Sequence, residues 1–222
     1  MYCITSLPCA GDLLSLLFTN HRMNFLAHMY LSFGDSKILT GQFIADEVRG
    51  NAFIGIDPHI VEGIRLHRFI DDFTDHHPEN LRLRALLRPH LGLLSPVAMD
   101  VWYDHMLARE WSKFHEMPLH GFIEESTGAL SAMSDHMPEK SILRLQLMAK
   151  HNWLLNYATI EGIEKTFEMM AKRFPFAEKL AHAPKIWPGM QKNIEETFFA
   201  FIPDLISAAE IKIARRNFDG SK

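Results

Sequence analysis

The stretch HRFIDDFTD at residues 67–75 combines a histidine and three aspartates with isoleucine and phenylalanine. Residues four apart lie on one side of a helix, so His67, Asp71 and Asp75 would form a single stripe. Imidazole and carboxylate groups together can bind a metal ion, but they are also common on a solvated helix face. Taken alone, the stretch leaves both interpretations open.

Three further segments also place polar groups inside apolar, helix-like patterns. They are NFLAH with Asn24 and His28, GQFIADEVRG with Asp46 and Arg49, and DVWYDHML with Asp100, Asp104 and His105. A carboxylate on an apolar helix is costly to bury unless a base or a metal ion balances it. Four such helices meeting would form a histidine and carboxylate metal site in a helical bundle, a donor set that favours Mn²⁺, Fe²⁺, Mg²⁺ or Zn²⁺.

Each of these segments also has an ordinary explanation. Asp46 and Arg49 have the spacing of a simple salt bridge. Asp100 falls in the first turns of its predicted helix, where the helix dipole favours a carboxylate. His28 could be a hydrogen-bonded core histidine. The metal-site hypothesis therefore depends on the four segments together.

The elements that would position these groups are all helical. The apolar residues follow helical periodicity, and alternating strand patterns bounded by tight turns are missing, so we expect an all-α, single-domain helical bundle. The predicted helices cover about residues 24–31, 37–49, 58–74, 78–88, 96–111, 119–132, 138–153, 162–174 and 190–216. Asp57 and Ser95 are expected caps, Gly50 should end the second helix, and Pro203 should kink the last.

Composition narrows the class of protein further. The 222 residues are 47% apolar and 23% charged, as in a globular domain. A net charge of −4 gives no reason to expect a nucleic-acid partner. No apolar run reaches the roughly 20 residues that span a bilayer, so no membrane segment is expected. The two cysteines, Cys3 and Cys9, suit a reducing compartment and a cytoplasmic location.

The domain is expected to comprise residues 23–222, with residues 1–22 as a peripheral N-terminal extension.

The chain resembles the acyl carrier protein phosphodiesterase family in four successive motifs, MNFLAHMYLS, GQFIADEVRG, GIRLHRFIDDFTD and DVWYDHMLAREW. This resemblance implies an HD-domain-like metal-dependent phosphohydrolase that removes 4′-phosphopantetheine from holo acyl carrier protein. It also implies Mn²⁺ as the metal, with Mg²⁺ or Fe²⁺ possible. The reversed order Asp104-His105 departs from the His-Asp pair that names the HD superfamily.

The resemblance suggests a role for each matching polar residue. The expected metal ligands are Asp46, His67 and Asp71, with Asp104 or His28 completing the set. The expected groups around them are Arg49 and Arg68 on the phosphate, His105 as proton donor to the departing serine oxygen, and Asp75 and Asn24 as supports for the ligands.

Docking of an acidic carrier protein would need a local basic face. Arg84 and Arg88 share one face of their predicted helix and are the expected partner-binding residues, although they could equally form a solvated helix surface. Two other functions stay open. One is a phosphohydrolase of a nucleotide or other small phosphoester, and the other is a non-enzymatic helical interaction protein.

Overall fold

A computed structural model describes residues 24–173 and 175–219, so the predicted N-terminal extension lies outside the described residues. Over these two ranges the chain forms helices and turns and no strand, which confirms the all-α prediction. The α-helices are α1 (Phe25–Tyr30), α2 (Ser36–Ile44), α3 (Pro58–His76), α4 (Pro78–Leu91), α5 (Ser95–Arg109), α6 (Leu119–Ala132), α7 (Glu139–Lys150), α8 (Trp153–Asn156), α9 (Ile160–Arg173) and α10 (Ala183–Asp219). Short 3₁₀ turns cover Ala45–Glu47, Gly92–Leu94, Trp111–Lys113, Ser134–His136 and Pro175–His182.

Helix α5 is the central element of the bundle. Every residue from 97 to 108 is buried, as expected for a helix that other helices surround. The Trp102 ring packs against Phe167 of α9, and the Tyr103 ring packs against Phe198 and Phe201 of α10. Polar residues of α5 therefore lie in the protein interior and need partners there.

Helices α2 and α3 cross at two glycines with their backbones in contact. A Cβ atom on Gly41 would lie 2.0 Å from the carbonyl oxygen of Ile60, and one on Gly63 would lie 2.3 Å from that of Ile38. Neither position can hold a side chain without separating the helices. Because the backbones touch here, the residues that follow Gly41 along α2 lie close to those that follow Gly63 along α3.

Several helix boundaries differ from the sequence prediction. Helix α3 begins as predicted, because the Asp57 carboxylate accepts the His59 N–H at 2.8 Å. Helix α2, however, ends at Ile44 rather than at Arg49, and the 3₁₀ turn Ala45–Glu47 follows it. The extension to Arg49 was wrong because Val48 is already extended, with its N–H bonded to Ala45.

Two further boundary predictions need correction. Ser95 is not the cap of α5, because it lies in the first turn and its hydroxyl donates to the Gly92 carbonyl at 2.8 Å. The predicted helix 138–153 stops at Lys150, since Asn152 takes a left-handed conformation with φ of 47° before α8 begins. Within the described ranges, no helix is both long and apolar enough to cross a bilayer.

The close crossing of α2 and α3 predicts a large effect for a very small substitution. Gly63→Ala should lower the free energy of unfolding by about 2 kcal/mol or more, because the new methyl group overlaps backbone atoms that cannot rotate away. Urea denaturation monitored by circular dichroism measures the change.

Gly128→Ala is the matched control, because Gly128 is an exposed helical residue of α6 with no atom within 4 Å of its would-be Cβ. This substitution should instead stabilise the protein by about 0.5–1 kcal/mol through helix propensity. Equal stability of the two variants would contradict the backbone contact between α2 and α3.

Candidate metal centre

A small cavity lies where α1, α2 and α3 meet. Its volume is about 10 Å³, which is space for roughly one water molecule or ion. It is lined by Asn24, Phe25, His28, Met29, Leu39, Gln42, Phe43, Asp46 and His67. The structure thus brings together residues from three of the four segments that the sequence singled out.

Two histidines and two aspartates face one another at the edge of this cavity. His28 Nε2 lies 3.4 Å from Asp71 Oδ1, and His67 Nε2 lies 3.4 Å from Asp71 Oδ2. Asp46 Oδ1 is 3.5 Å from the same nitrogen of His67. The ligand atoms of His28, His67 and Asp71 all lie within 4.8 Å of one another, so these three residues could hold a metal ion.

The separations in this cluster suit ligands of a common ion. Two donor atoms that are each about 2.1 Å from one cation lie about 3.0 to 3.4 Å apart at octahedral or tetrahedral angles. The observed 3.4 and 3.5 Å are close to that range. Small side-chain adjustments would therefore bring the donor atoms into coordination distance.

A hydrogen bond from His28 to the Gln42 side-chain oxygen determines which nitrogen of His28 faces the cluster. The Gln42 amide nitrogen donates to the His28 carbonyl oxygen at 2.8 Å and approaches Ser32 Oγ at 3.2 Å. The Gln42 oxygen is therefore the acceptor for His28 Nδ1 at 2.8 Å, so Nδ1 carries the proton. In the neutral ring Nε2 then presents a lone pair toward Asp71, and this buried nitrogen has no hydrogen-bond partner among the described residues.

A bound divalent cation suits the paired rings of His28 and His67 better than protonation of both rings does. The rings of His28 and His67 are stacked, with centroids 4.0 Å apart and an interplanar angle of 19°. Protonation of both rings would offer N–H donors to the carboxylates, but two imidazolium rings at this distance repel each other. One divalent ion accepts a lone pair from both neutral rings and balances the charges of Asp46 and Asp71. The donor set thus fits a divalent metal.

Arg144 of α7 fixes the turn that carries Asp46. Its guanidinium donates to the carbonyl oxygen of Phe43 at 2.7 Å and lies 3.1 Å from the Glu47 carboxylate. It also lies over the Phe43 ring, 4.7 Å from the centroid. With an exposure of only 2%, Arg144 makes these contacts inside the protein, where charge-assisted hydrogen bonds are strong. The end of α2 and the 3₁₀ turn are thereby held on both sides of Asp46.

Asp104, the alternative to His28 for completing the ligand set, binds backbone groups of α1 in this structure. Its two carboxylate oxygens accept the backbone N–H groups of Leu26 and Ala27, each at 3.0 Å. A carboxylate from α5 thus satisfies the N-terminal donors of α1, where the short helix has no side-chain cap of its own. Complete burial raises the pKa of Asp104 to about 7, although both backbone donors act to lower it.

His105 also lies away from the cluster. Its Nδ1 bonds to the carbonyl oxygen of Tyr157 at 2.7 Å, and its ring packs edge-on against Trp187. Burial lowers the pKa of His105, as expected for an imidazole among apolar groups. Since neighbouring residues of a helix point about 100° apart, Asp104 and His105 cannot both face α1. The predicted role as proton donor to the substrate has no support from this position.

The predicted supporting residues take different positions. Asn24 lines the cavity, and its supporting role stays a prediction. Asp75 lies 3.0 Å from Arg84, and neither ring nitrogen of His67 has a hydrogen-bond partner among the described residues. Asp75 therefore does not hydrogen-bond to His67 in this structure, and its role as a support for the ligands stays a prediction. Arg68 donates to the Val48 carbonyl oxygen at 2.7 Å, next to the turn that carries Asp46.

The predicted basic face of α4 also differs in the structure. Arg84 is partly buried and forms an ion pair with Asp75, whereas Arg88 is exposed. The two arginines therefore do not present an equivalent pair of exposed charges. Arg49, expected to bind the phosphate, is exposed and begins the loop that leads to α3.

Two residues of the site were missed by sequence reasoning. Gln42 stands in the quoted motif GQFIADEVRG as an uncharged polar residue within an apolar run, and that signal could have identified it. Arg144 contacts Phe43 across 101 positions of the chain, and nothing local to its own segment indicates such a contact.

The role of Gln42 predicts a specific loss of metal affinity. Gln42→Met keeps the volume but removes the acceptor for His28 Nδ1, so the affinity for Mn²⁺ should fall about 10- to 100-fold. Isothermal titration of the purified protein with Mn²⁺ measures the change. Gln146→Met makes the same chemical change at an exposed position of α7 and should leave the affinity unaltered. Identical affinities of the two variants would rule out this role.

The chain is similar to known proteins over most of its length. The family model described as acyl carrier protein phosphodiesterase matches residues 23–205. Proteins named acyl carrier protein phosphodiesterase from Salmonella paratyphi A, Salmonella dublin and Salmonella enteritidis PT4 are 30% identical over 191 residues, which cover 86% of this chain and 99% of each relative. No solved structure matches the chain, so likeness to the HD-domain fold stays a prediction. The chain belongs to the acyl carrier protein phosphodiesterase family.

Proposed function

We propose that this chain hydrolyses the phosphodiester between 4′-phosphopantetheine and a serine of holo acyl carrier protein, giving apo carrier protein. The observation that carries the proposal is the Nε2 lone pair of His28, which faces the Asp71 carboxylate beside a second imidazole. These residues could hold a divalent cation, and the chain's family is named for a phosphodiesterase. A cytoplasmic location belongs to the same proposal.

The metal would be held by His28, His67 and Asp71, with Asp46 as a further ligand. We propose Mn²⁺, because nitrogen and carboxylate donors suit it, with Mg²⁺ or Fe²⁺ as substitutes. When bound, such a cation neutralises phosphoryl oxygens and makes water more acidic and therefore a better nucleophile near neutral pH. Two neutral imidazoles and two carboxylates also balance the charge of one divalent ion.

The residues around this ion would prepare the site before substrate arrives. Gln42 keeps the His28 proton on Nδ1, so that the ring is ready as a ligand without a change of tautomer. Arg144 holds the turn that carries Asp46. Preorganisation of this kind removes the cost of arranging the ligands during turnover.

The two aspartates define the side from which a phosphodiester would approach. The side chains of Asp46 and Asp71 are 18% and 14% exposed, whereas those of His28 and His67 are 6% and 8% exposed. A substrate therefore meets the carboxylate side of the cluster first. Arg49 and Arg68 lie near the same turn and are the proposed cationic groups for the phosphate, since a guanidinium matches its oxygens.

The proposal is tested by mass spectrometry of holo carrier protein after incubation with the enzyme and Mn²⁺. Loss of the prosthetic arm, abolished by a chelator and restored by added Mn²⁺, is the expected result. If the arm stays in place while a nucleotide or small phosphomonoester is hydrolysed, the substrate assignment fails. If neither reaction occurs and Mn²⁺ does not bind, the enzymatic assignment fails as well.

Adjacent aspartates allow a matched pair of variants for this reaction. Asp71→Asn should reduce arm removal by at least about 100-fold, because an amide is a poor replacement for a charged ligand. Asp72→Asn makes the same change one residue away, where the side chain is 76% exposed and bonded to His76, and should keep near-normal activity. Similar activities of the two variants would mean that Asp71 is not a ligand.

A further inference from the structure

The loop from Val48 to Asp57 lies between the 3₁₀ turn of Asp46 and helix α3, and it carries an exposed apolar side chain, Ile54. Ile54 is fully exposed, with a relative accessibility of 101%. Exposure of a single apolar residue is ordinary, so Ile54 alone has no functional meaning. The backbone around Ile54, however, is held in place by contacts with α3, and arginines lie nearby.

Two arginines of α3 fix this loop. Arg68 donates to the Val48 carbonyl oxygen at 2.7 Å, and its guanidinium lies 5.6 Å from the centre of the Phe53 ring. Arg65 lies 5.5 Å from the same ring. These hydrogen-bond and cation–π contacts hold the residues just before Ile54 against α3. The apolar side chain is therefore presented from an anchored position and not from an untethered segment.

Three arginines lie in this loop or contact it. Arg49 is exposed, and Arg65 keeps more than half of its side chain in solvent while it pairs with Glu62 at 2.7 Å. At the end of the loop, the Asp57 carboxylate is matched by Lys37 at 2.6 Å. Arg49, Arg65 and Arg68 thus bring three positive charges to the loop, and Glu62 pairs with one of them, in a chain whose net charge is −4. This local excess suits an acidic partner surface.

We propose that this loop is the docking surface for the protein part of the substrate, an acidic carrier protein, with Ile54 inserted into an apolar spot among its carboxylates. The inference rests on the proposed function. Asp46, which lies two residues before Val48, belongs to the more exposed side of the metal cluster, so a protein seated here would have its phosphodiester next to the proposed site. We place docking on this loop and not on the face with Arg84 and Arg88, because Arg84 is paired with Asp75.

The test separates docking from chemistry by measuring binding of the apo carrier protein, which presents the same surface and cannot be turned over. Ile54→Asp should raise the Kd for apo carrier protein about 10- to 100-fold, through loss of apolar contact and repulsion of carboxylates. Ile54→Lys should raise it much less, because its charge attracts the same carboxylates. Both variants should keep the parent melting temperature and its hydrolysis of bis(p-nitrophenyl) phosphate.

Two control variants introduce a negative charge at other exposed positions. Leu93→Asp alters another exposed apolar residue, 84% accessible in the turn between α4 and α5, and should leave the Kd within about twofold. Arg88→Glu reverses an exposed charge on α4 and should do the same. A Kd that changes equally for Ile54→Asp and Leu93→Asp would overturn the proposal. A Kd that responds to Arg88→Glu and not to Ile54→Asp would return docking to α4.

The remaining outcomes also give clear answers. Equal losses for Ile54→Asp and Ile54→Lys would refute an acidic partner. Self-association of the parent chain that Ile54→Asp abolishes would assign the loop to a second copy and refute carrier docking. If the parent binds apo carrier protein through Ile54 but leaves the prosthetic arm on the holo form, docking stands and the proposed reaction fails. If the parent does not bind the carrier at all, the docking proposal is wrong.

Discussion

The contact between the backbones of α2 and α3 is the constraint on which the candidate site depends. With glycine at positions 41 and 63, the two helices approach more closely than any side chain allows. Gln42 follows directly after one glycine, and His67 lies one helical turn beyond the other. A wider spacing of α2 and α3 would draw Asp46, just after α2, away from His67 of α3, which it approaches within 3.5 Å. Close packing at two glycines, which carry no functional side chain, thus determines where the side chains of the candidate site lie.

Polar contacts from distant helices complete what this crossing begins. Asp104 of α5 holds the start of α1, and Arg144 of α7 holds the end of α2. Both residues are almost fully buried, and both bind backbone groups that have no helical partner of their own. A buried charge is costly unless it is satisfied, so these contacts add to the stability only in the assembled fold. Metal affinity and folding of the bundle should therefore be coupled, because the same contacts position the ligands.

The sequence was informative where local spacing decides the outcome. Helical periodicity identified the all-α class, and the spacing by four in HRFIDDFTD placed His67 and Asp71 on one side of α3. It was less informative where side chains meet across the fold. Asp104 has the spacing and burial expected of a ligand, but only the packing of α1 on α5 shows that two backbone donors occupy it. Arg84 looked available for docking because its partner, Asp75, lies on the preceding helix.

The unequal exposure of the cluster connects its chemistry to the shape of the substrate. The histidines are enclosed by α1 and α2, and the aspartates are the more exposed members. Access from one side would matter little for a small phosphoester, which can turn to present its phosphorus. A phosphodiester attached to a folded protein cannot turn freely, because the carrier must find room beside the cluster. The anchored loop follows Asp46, and the arginines of α3 that contact it set the sign of charge that the approaching surface should carry. Selectivity for a macromolecular substrate would then arise from the backbone and charges next to the cluster, and not from the cluster itself.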